Sequence, residues 1–223
     1  MNLDSDQRAA IAAAVTSAEA QTDGEIMVVT SANSDAYHDV ALHWAVAAML
    51  LALAVLASFP AFYTALVDRI SGGWQHVWTP RELLTLALLF AAGKFLGVRL
   101  ILAWRPLRLA MTPRATKARR VRRRAIQIFR AGIERRTATR TGVLLYLSED
   151  EHHAEIVADR AIHQKVSQER WGIAMASLIE ALRAGRPADG IIAAIGEIGA
   201  VLAETFPRTG NDPDELPDRL IEL

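Results

Sequence analysis

The chain has 223 residues, of which 52% are hydrophobic, and its 25 basic residues balance its 25 acidic residues. It contains no cysteine, which excludes a disulfide framework, a cysteine-ligated zinc site and a cysteine nucleophile. The neutral total hides a segregation of charge, because the net charge is −6 over residues 1–40, +2 over 41–104, +12 over 105–140 and −8 over 141–223.

The amino-terminal segment predicts one helix and one strand of a soluble domain. Asp4 and Gln7 have the spacing of a capping box, which predicts a helix over the first twenty residues. This segment lacks the basic start and apolar centre of a signal peptide. A turn at Asp23 then precedes a β-branched strand over residues 25–31. We therefore expect residues 1–39 to form the first part of a domain.

Two long apolar runs follow, and they predict a transmembrane hairpin over residues 40–104. In the first run, residues 40–67, only His43 is ionisable, and the second run covers residues 83–104. Each run is long enough to cross a hydrocarbon core of roughly 30 Å. The alternative is a buried helix pair in a soluble bundle, but apolar runs in soluble helices are usually about 10 to 14 residues long and leave a polar face.

The basic residues predict how this hairpin is oriented. Thirteen Lys or Arg residues lie in the 36 residues after the second run, whereas the loop between the runs contributes Arg69 and Arg81. The positive-inside rule then predicts a multi-pass protein of the inner (plasma) membrane with both termini in the cytoplasm. Lys94 and Arg99 are intramembrane candidates. We expect Arg99 to snorkel to the interface, and for Lys94 we favour snorkelling or pairing with a partner hairpin over a relay function.

The basic segment that follows predicts a folded helix with two different sides. Thr112 and Pro113 have the pattern of a helix start, and Val121, Ala125, Ile128 and Phe129 lie along one apolar side. We expect this apolar side to pack on a sheet and the other sides to contact anionic headgroups. The candidate membrane-surface residues are Arg119, Arg120, Arg122, Arg123, Arg124 and Arg130. A nucleic-acid interface is the less favoured interpretation, because aromatic residues are not interleaved and the flanking segments are acidic.

The carboxyl-terminal half predicts the rest of the domain, over residues 105–207. A strand over residues 141–148 is so apolar that both of its faces should be covered. A charged turn and a third strand follow, and then two helices that Ser167 and Asp189 could cap. The acidic, proline-containing residues 208–223 predict an extended tail. The fold class is therefore α/β, a three-layer α/β/α sandwich with a small mixed sheet, interrupted by a two-helix transmembrane hairpin.

Three motifs carry a resemblance to a known family. The stretches TDGEIMVVT, TGVLLYLSEDEHHAEIVAD and GRPADGIIAAIGEIGAVLAETFP resemble the TPM domain family over residues 1–35 and roughly 112–207. The resemblance implies an α/β/α fold with a mixed sheet. The usual family arrangement is an extracytoplasmic domain tethered by a signal or terminal span. The inserted hairpin departs from it and is similar to the bacterial integral-membrane branch.

The turn between the second and third predicted strands is the candidate chemical site. Its carboxylates and imidazoles could hold a divalent cation, calcium or magnesium, or supply an acid and a base. We favour a solvated hairpin turn instead. The metal-ligand candidates are Glu149, Asp150, Glu151 and Asp159. The catalytic candidates are Asp159, His153 and Asp23. Asp23, Glu25 and Asp159 lie near strand ends where the resemblance implies acidic groups.

These observations favour a non-enzymatic function. We expect a binding or regulatory module at the membrane, with anionic lipid headgroups and an unidentified protein as partners and with possible homo-oligomers through the hairpin. The resemblance implies one alternative, a membrane-anchored phosphatase, because acid phosphatase activity occurs in the TPM family. The sequence has no P-loop, GxSxG, HExxH or CxxC motif that would add independent support.

Overall fold

The computed structural model describes residues 3–71, 77–132, 141–209 and 219–223. The chain forms two compact units. One unit combines Met1–Asp35 with Arg114–Leu223, and the other is Ala36–Pro113. The first unit is therefore discontinuous in sequence.

The first unit begins with helix α1 (Ser5–Glu19) and strand β1 (Glu25–Ser31). The capping box is confirmed, because the Asp4 carboxylate accepts a hydrogen bond from the Gln7 N–H at 2.7 Å and the Asp4 N–H donates to the Gln7 side chain at 3.0 Å. The limits of β1 are the ones that the sequence predicts, and all its residues are buried.

The remaining elements of this unit follow the other unit in the chain. They are α6 (Arg114–Gly132), β2 (Gly142–Ser148), β3 (His153–Ala158), α7 (Arg160–His163), α8 (Gln168–Arg183), α9 (Pro187–Thr205) and β4 (Ile221–Glu222). The described strands form one mixed sheet in the order β3-β2-β1-β4. Strand β1 is parallel to β2 and to β4, whereas β2 and β3 are antiparallel. The described residues thus confirm a small mixed sheet.

Helices cover both faces of this sheet. Successive side chains of a strand point to opposite faces, so Val143 and Leu145 pack with residues of α1, α8 and α9 on one face. Leu144 and Tyr146 pack on the other face against the apolar side of α6, which is formed by Val121, Ala125 and Phe129 with Ile128 beside them. The three-layer α/β/α fold and the predicted packing side of α6 are confirmed.

Three details of this unit differ from the sequence-based expectations. The Thr112 hydroxyl donates to the Arg108 carbonyl at 2.8 Å, so Thr112 closes the preceding turn instead of capping α6. Helix α9 begins at Pro187 because proline suits the first helical position, and Asp189 lies within its first turn. In the predicted tail, Leu223 N–H donates to the Thr30 carbonyl at 2.9 Å and the last residues join the sheet as β4. Residues 210–218 of that tail lie outside the described residues.

The second unit contains α2 (His38–Ser58), α3 (Pro60–Ser71), α4 (Pro80–Ile101) and α5 (Arg105–Ala110). The first apolar run, residues 40–67, for which the sequence allows a bend at Pro60, consists of two helices, because α2 ends at Ser58 and α3 begins at Pro60. Proline lacks the N–H that a continuous helix requires and disfavours helical backbone at the residue before it. The second run is confirmed as a helix, displaced by three residues toward the amino terminus.

Helices α2 and α4 form an antiparallel pair. The Arg99 side chain near the end of α4 donates to the His38 carbonyl at the start of α2, at 3.4 Å. The buried positions of the pair carry small side chains, which allow close approach of two helices, and they include Ala41, Ala45, Ala52 and Ala91. Most leucines of the pair are exposed. By length and composition, these two helices could each cross a membrane.

Candidate functional site

The candidate site lies where β1 and β2 end and the turn at residues 149–152 begins. The Glu149 N–H donates to the Ser31 carbonyl at 3.0 Å, and the Asp150 N–H donates to the Ala32 carbonyl at 3.1 Å. The turn is therefore fastened to the end of β1, and His152 completes it in a left-handed conformation with φ of 49°. The carboxyl ends of neighbouring parallel strands are where α/β sheets commonly bind ligands.

A buried chain of hydroxyl groups leads to a carboxylate at this position. The Ser34 hydroxyl donates to the Ser148 hydroxyl at 2.8 Å, and the Ser148 hydroxyl donates to the Glu151 carboxylate. The Tyr146 hydroxyl lies 3.0 Å from the Ser34 oxygen. Because the single Ser34 hydroxyl proton is already directed at Ser148, Tyr146 is the donor in this last contact.

Glu151 is the acceptor at the end of this chain. It is 7% exposed, and it also accepts a hydrogen bond from the Ser34 N–H at 3.0 Å. A buried carboxylate is costly unless hydrogen-bond donors surround it, and charge-assisted hydrogen bonds are the strong ones. The network therefore positions the turn against the sheet. Sequence reasoning names Glu151 but misses the hydroxyl groups; the only sequence signals for them are a tyrosine inside an apolar strand and serines at strand ends.

Two clefts open on either side of this turn. One, of about 510 Å³, is lined by apolar Ile179 and Leu182 of α8 together with Arg183. The other, of about 590 Å³, is lined by Arg114 and Lys117 at the start of α6. His152 and His153 line both clefts. The turn thus separates a largely apolar cleft from a basic one.

His153 belongs to a small charged group beside the basic cleft. One nitrogen of its ring lies 3.1 Å from the Glu155 carboxylate. Arg122 of α6 lies 3.9 Å from the same carboxylate. This group places an imidazole, a carboxylate and a guanidinium on the face of β3 that α6 covers.

The predicted metal and catalytic residues do not come together. Glu149, Asp150 and Glu151 lie in the turn, whereas Asp159 follows the far end of β3 and accepts a hydrogen bond from the Gly142 N–H at 3.0 Å. Strand β3 is six residues long, so its two ends lie roughly 17 Å apart. Within the part of the chain that the structure describes, no group of three or more His, Asp or Glu residues is arranged to hold a metal ion.

Asp23 lies at the same end of the sheet as Asp159. The Asp23 carbonyl accepts a hydrogen bond from the Thr141 hydroxyl at 2.8 Å, next to the Gly142 that Asp159 binds. The Asp23 carboxylate accepts hydrogen bonds from the Thr209 hydroxyl at 2.7 Å and from the Thr209 N–H at 2.8 Å. These two hydrogen bonds lower the pKa of Asp23. His153, the third catalytic candidate, is at the opposite end of β3.

The candidate membrane-surface arginines of α6 divide into separate groups. Arg120 pairs with Asp35 at 3.0 Å and its side chain is only 20% exposed, while Arg122 is directed toward Glu155. The others are exposed, and one of them, Arg130, also borders the end of β3: Arg119, Arg123, Arg124 and Arg130. The apolar side of α6 is buried against the sheet, so these four form a basic outer face.

The two intramembrane candidates also have described positions. Lys94 is exposed on α4, and its ammonium lies 5.3 Å from the centroid of the Phe90 ring one turn earlier. Such a contact stabilises a cation through the ring electrons. Arg99 joins the two helices through the His38 carbonyl described above. The relay and snorkelling hypotheses for Lys94 stay predictions.

Comparisons with known proteins agree with this architecture. A family model described as the TPM domain matches residues 106–201. The solved structure of the BA42 protein from the psychrophilic bacterium Bizionia argentinensis is similar in fold, with a TM-score of 0.57 and 17% identity over 100% of this chain and 97% of that one. No curated protein matches the sequence significantly. Residues 106–201 are therefore similar to the TPM domain, and the likeness to BA42 shows that the two chains share a fold.

Proposed function

We propose that this protein is an integral protein of the inner membrane and that its TPM domain is a binding or regulatory module at the cytoplasmic surface. The observation that carries the proposal is the basic outer face of α6, Arg119, Arg123, Arg124 and Arg130, on a helix whose other side is buried. Basic side chains close to an anionic membrane surface each contribute about 1 kcal/mol of attraction.

The topology part of the proposal rests on the helix pair and on the sheet. Helices of 21 and 22 residues reach about 32 Å, which matches a hydrocarbon core of roughly 30 Å. Strand β1 precedes the pair and β2 follows it, yet the two strands are neighbours in one sheet. This pairing supports a topology in which the two flanking segments lie on one side of the membrane, and the positive-inside rule supports the cytoplasm as that side.

The absence of cysteine makes this topology directly testable. Single cysteines replace Val77, which precedes α4, and Ser5 at the start of α1, and a membrane-impermeant maleimide is applied to spheroplasts and to inside-out vesicles. We expect Val77→Cys to react only in spheroplasts and Ser5→Cys only in inside-out vesicles. The reverse pattern, or reaction of both residues on the same side, would contradict the proposed orientation.

The headgroup contact has its own test. A fluorophore on Gln127→Cys, an exposed position of α6, is quenched by headgroup spin labels in nanodiscs that contain phosphatidylglycerol. We expect substitution of all four outer-face arginines by glutamine to abolish the quenching, while hydrogen exchange in β2 stays slow. Quenching that survives the four substitutions would remove the support that α6 gives to the proposal.

The alternative function is a membrane-anchored phosphatase for phosphate esters, with a divalent cation, calcium or magnesium, as the candidate cofactor. The pair of His153 and Glu155 beside the basic cleft of Arg114 and Lys117 favours it, because an imidazole and two cations suit a phosphate ester. The test is hydrolysis of para-nitrophenyl phosphate by the full chain with calcium, with magnesium and with a chelator. Under the binding function we expect no turnover, whereas turnover lost in His153→Ala but kept in Asp159→Asn would establish the enzyme.

A further inference from the structure

Strand β3 forms an edge of the described sheet, and its outward backbone groups are regularly spaced. In an antiparallel pair, alternate residues direct both backbone groups toward the partner strand. The Asp159 N–H donates to the Gly142 carbonyl at 3.0 Å, which places Val157 and Glu155 in inward positions. The backbones of Ala154, Ile156 and Ala158 therefore point away from β2.

This edge is open in the part of the chain that the structure describes. None of the described residues forms a backbone hydrogen bond to the outward groups of β3. The strand has the sequence HAEIVA, which lacks the lysine and proline that commonly protect an edge, and its one carboxylate, Glu155, faces Arg122 of α6. At the opposite edge, the chain itself supplies β4 to β1. Within the described residues, the chain thus pairs the outer edge of β1 with its own β4 and leaves the outer edge of β3 available for another strand.

Positive charge follows β3 on the face that α6 covers. Arg114 and Lys117 line the basic cleft near the start of the strand, and Arg122 lies beside its middle. Near its end, Arg130 and Arg160 line a further cleft of about 880 Å³. A strand added beside β3 would direct every second side chain toward these cations.

The opposite face offers apolar surface instead. Ile156 and Ala158 pack toward the apolar cluster on this face. Exposed Ile179 and Leu182 of α8 line the 510 Å³ cleft at the start of β3. The remaining side chains of an added strand would meet this surface. A strand that complements both faces must therefore alternate acidic and apolar residues, because successive side chains of a β-strand point to opposite faces.

We infer that the outer edge of β3 is a docking site for an extended segment of a partner protein in which acidic and apolar residues alternate. This inference rests on the proposed binding function and names the kind of partner. Main-chain hydrogen bonds to β3 supply affinity, and the basic and apolar faces supply specificity, as in other cases of strand addition. A segment with only acidic side chains would complement the basic face but not the apolar face.

The first test uses the full chain in nanodiscs of phosphatidylcholine, so that neither topology nor anionic lipid affects the result. The probe is a fluorescent ten-residue peptide of alternating glutamate and valine, and the readout is anisotropy. We expect saturable binding at least tenfold tighter than that of a control with five glutamates followed by five valines. Equal affinity for the two peptides would reduce the contact to charge attraction and overturn the inference.

Backbone methylation gives the sharper test because it leaves the side chains and charges unchanged. In an added strand, the N–H groups that reach β3 belong either to all the glutamates or to all the valines, depending on strand direction. We expect N-methylation of one residue type to abolish binding and N-methylation of the other to preserve it. If both methylated peptides bind equally, or neither binds, strand addition is excluded.

Protein variants locate the site on the molecule. We expect Arg122→Gln to weaken binding of the alternating peptide about fivefold, the size of one exposed ion pair. The matched control is Arg123→Gln on the outer face of α6, for which no change is expected. Equal losses in the two variants would overturn the placement beside β3. A chain that dimerises without peptide and ignores every peptide would assign the edge to a second copy instead.

Discussion

Strand β2 and helix α4 are both rich in leucine, but the leucine side chains of β2 are buried and most of those of α4 are exposed. Leu144 and Leu145 of β2 are completely buried between two layers of helices. On α4, Leu84, Leu88 and Leu100 are 72%, 67% and 77% exposed. The sandwich supplies its own apolar surroundings, whereas the helix pair needs surroundings that the described chain does not provide.

The two regions also satisfy their backbones differently. A helix pairs its N–H and C=O groups within itself, so α4 requires nothing from neighbouring segments. Strand β2 pairs with β1 on one side and β3 on the other. The comparison shows that apolar composition alone does not distinguish a helix that could cross a membrane from a core strand. The two are distinguished by the uninterrupted length of the apolar run and by whether its backbone groups pair within the element or with neighbouring strands.

The largest expected effect is a cavity in the sandwich. We expect Leu145→Ala to lower the free energy of unfolding by about 2 to 5 kcal/mol, because the surrounding side chains cannot fill the space. The matched Leu88→Ala should leave the sandwich unchanged. Hydrogen exchange of the β1 and β2 amides in the full chain measures both. Similar destabilisation by the two substitutions would show that Leu88 is part of a protein core.

A charge on the exposed side of α4 should act through the membrane instead. We expect Leu88→Asp to make insertion of α4 less favourable by about 3 kcal/mol, the cost of a charge near the centre of a span. The opposite change, Lys94→Leu, should favour insertion by a similar amount. A glycosylation reporter in microsomes measures both. Insertion that is indifferent to both substitutions would place α4 outside the bilayer.

A third, smaller difference between the sandwich and the helix pair is expected for their serine hydroxyl groups. We expect Ser148→Ala to lower the free energy of unfolding by about 1.5 to 3 kcal/mol, because buried Glu151 loses a donor. Ser58 of α2 donates to the Ala54 carbonyl of its own helix at 2.8 Å, so Ser58→Ala should have almost no effect. Denaturation of the two variants separates the cases. An unaffected Ser148→Ala protein would mean that water satisfies Glu151 equally well.

The smallest expected effect is a dependence on pH at Asp23, which precedes the start of β1. The hydroxyl and backbone hydrogen bonds from Thr209 hold the pKa of Asp23 below its ordinary value of 3.8. A lowered pKa stabilises the folded state above pH 3.8, and this contribution disappears as the pH falls through the folded-state pKa. Thr209→Val should raise the pKa of Asp23 in a carboxyl NMR titration. An unchanged titration would show that the hydroxyl is not the main cause.

Local patterns were sufficient to predict much of the sandwich. The burial of both faces of β2, the limits of β1 and the packing side of α6 all follow from residues close together in the sequence. The break between α2 and α3 also has a local cause, because it falls at Pro60, where the sequence allows a bend. A helix cannot continue through a proline without losing a hydrogen bond.

The candidate site was less predictable because it is assembled from distant residues. Ser34 precedes the helix pair, whereas Tyr146, Ser148 and Glu151 follow it. No spacing rule connects residues so far apart in the sequence. A single serine or tyrosine does not by itself predict a functional site. The acidic turn was visible as a cluster, but only the sheet register shows that Asp159 lies at the other end of β3.

The parallel pairing of β1 with β2 has a consequence for biosynthesis. Glu25 pairs with Gly142, more than one hundred residues later in the chain. At a synthesis rate of about 5 to 20 residues per second, roughly 6 to 23 s pass between the synthesis of Glu25 and that of its partner Gly142. During this interval both apolar faces of EIMVVTS and its unpaired edges are open to aggregation. We therefore expect the nascent chain to need a chaperone until the ribosome has passed β2.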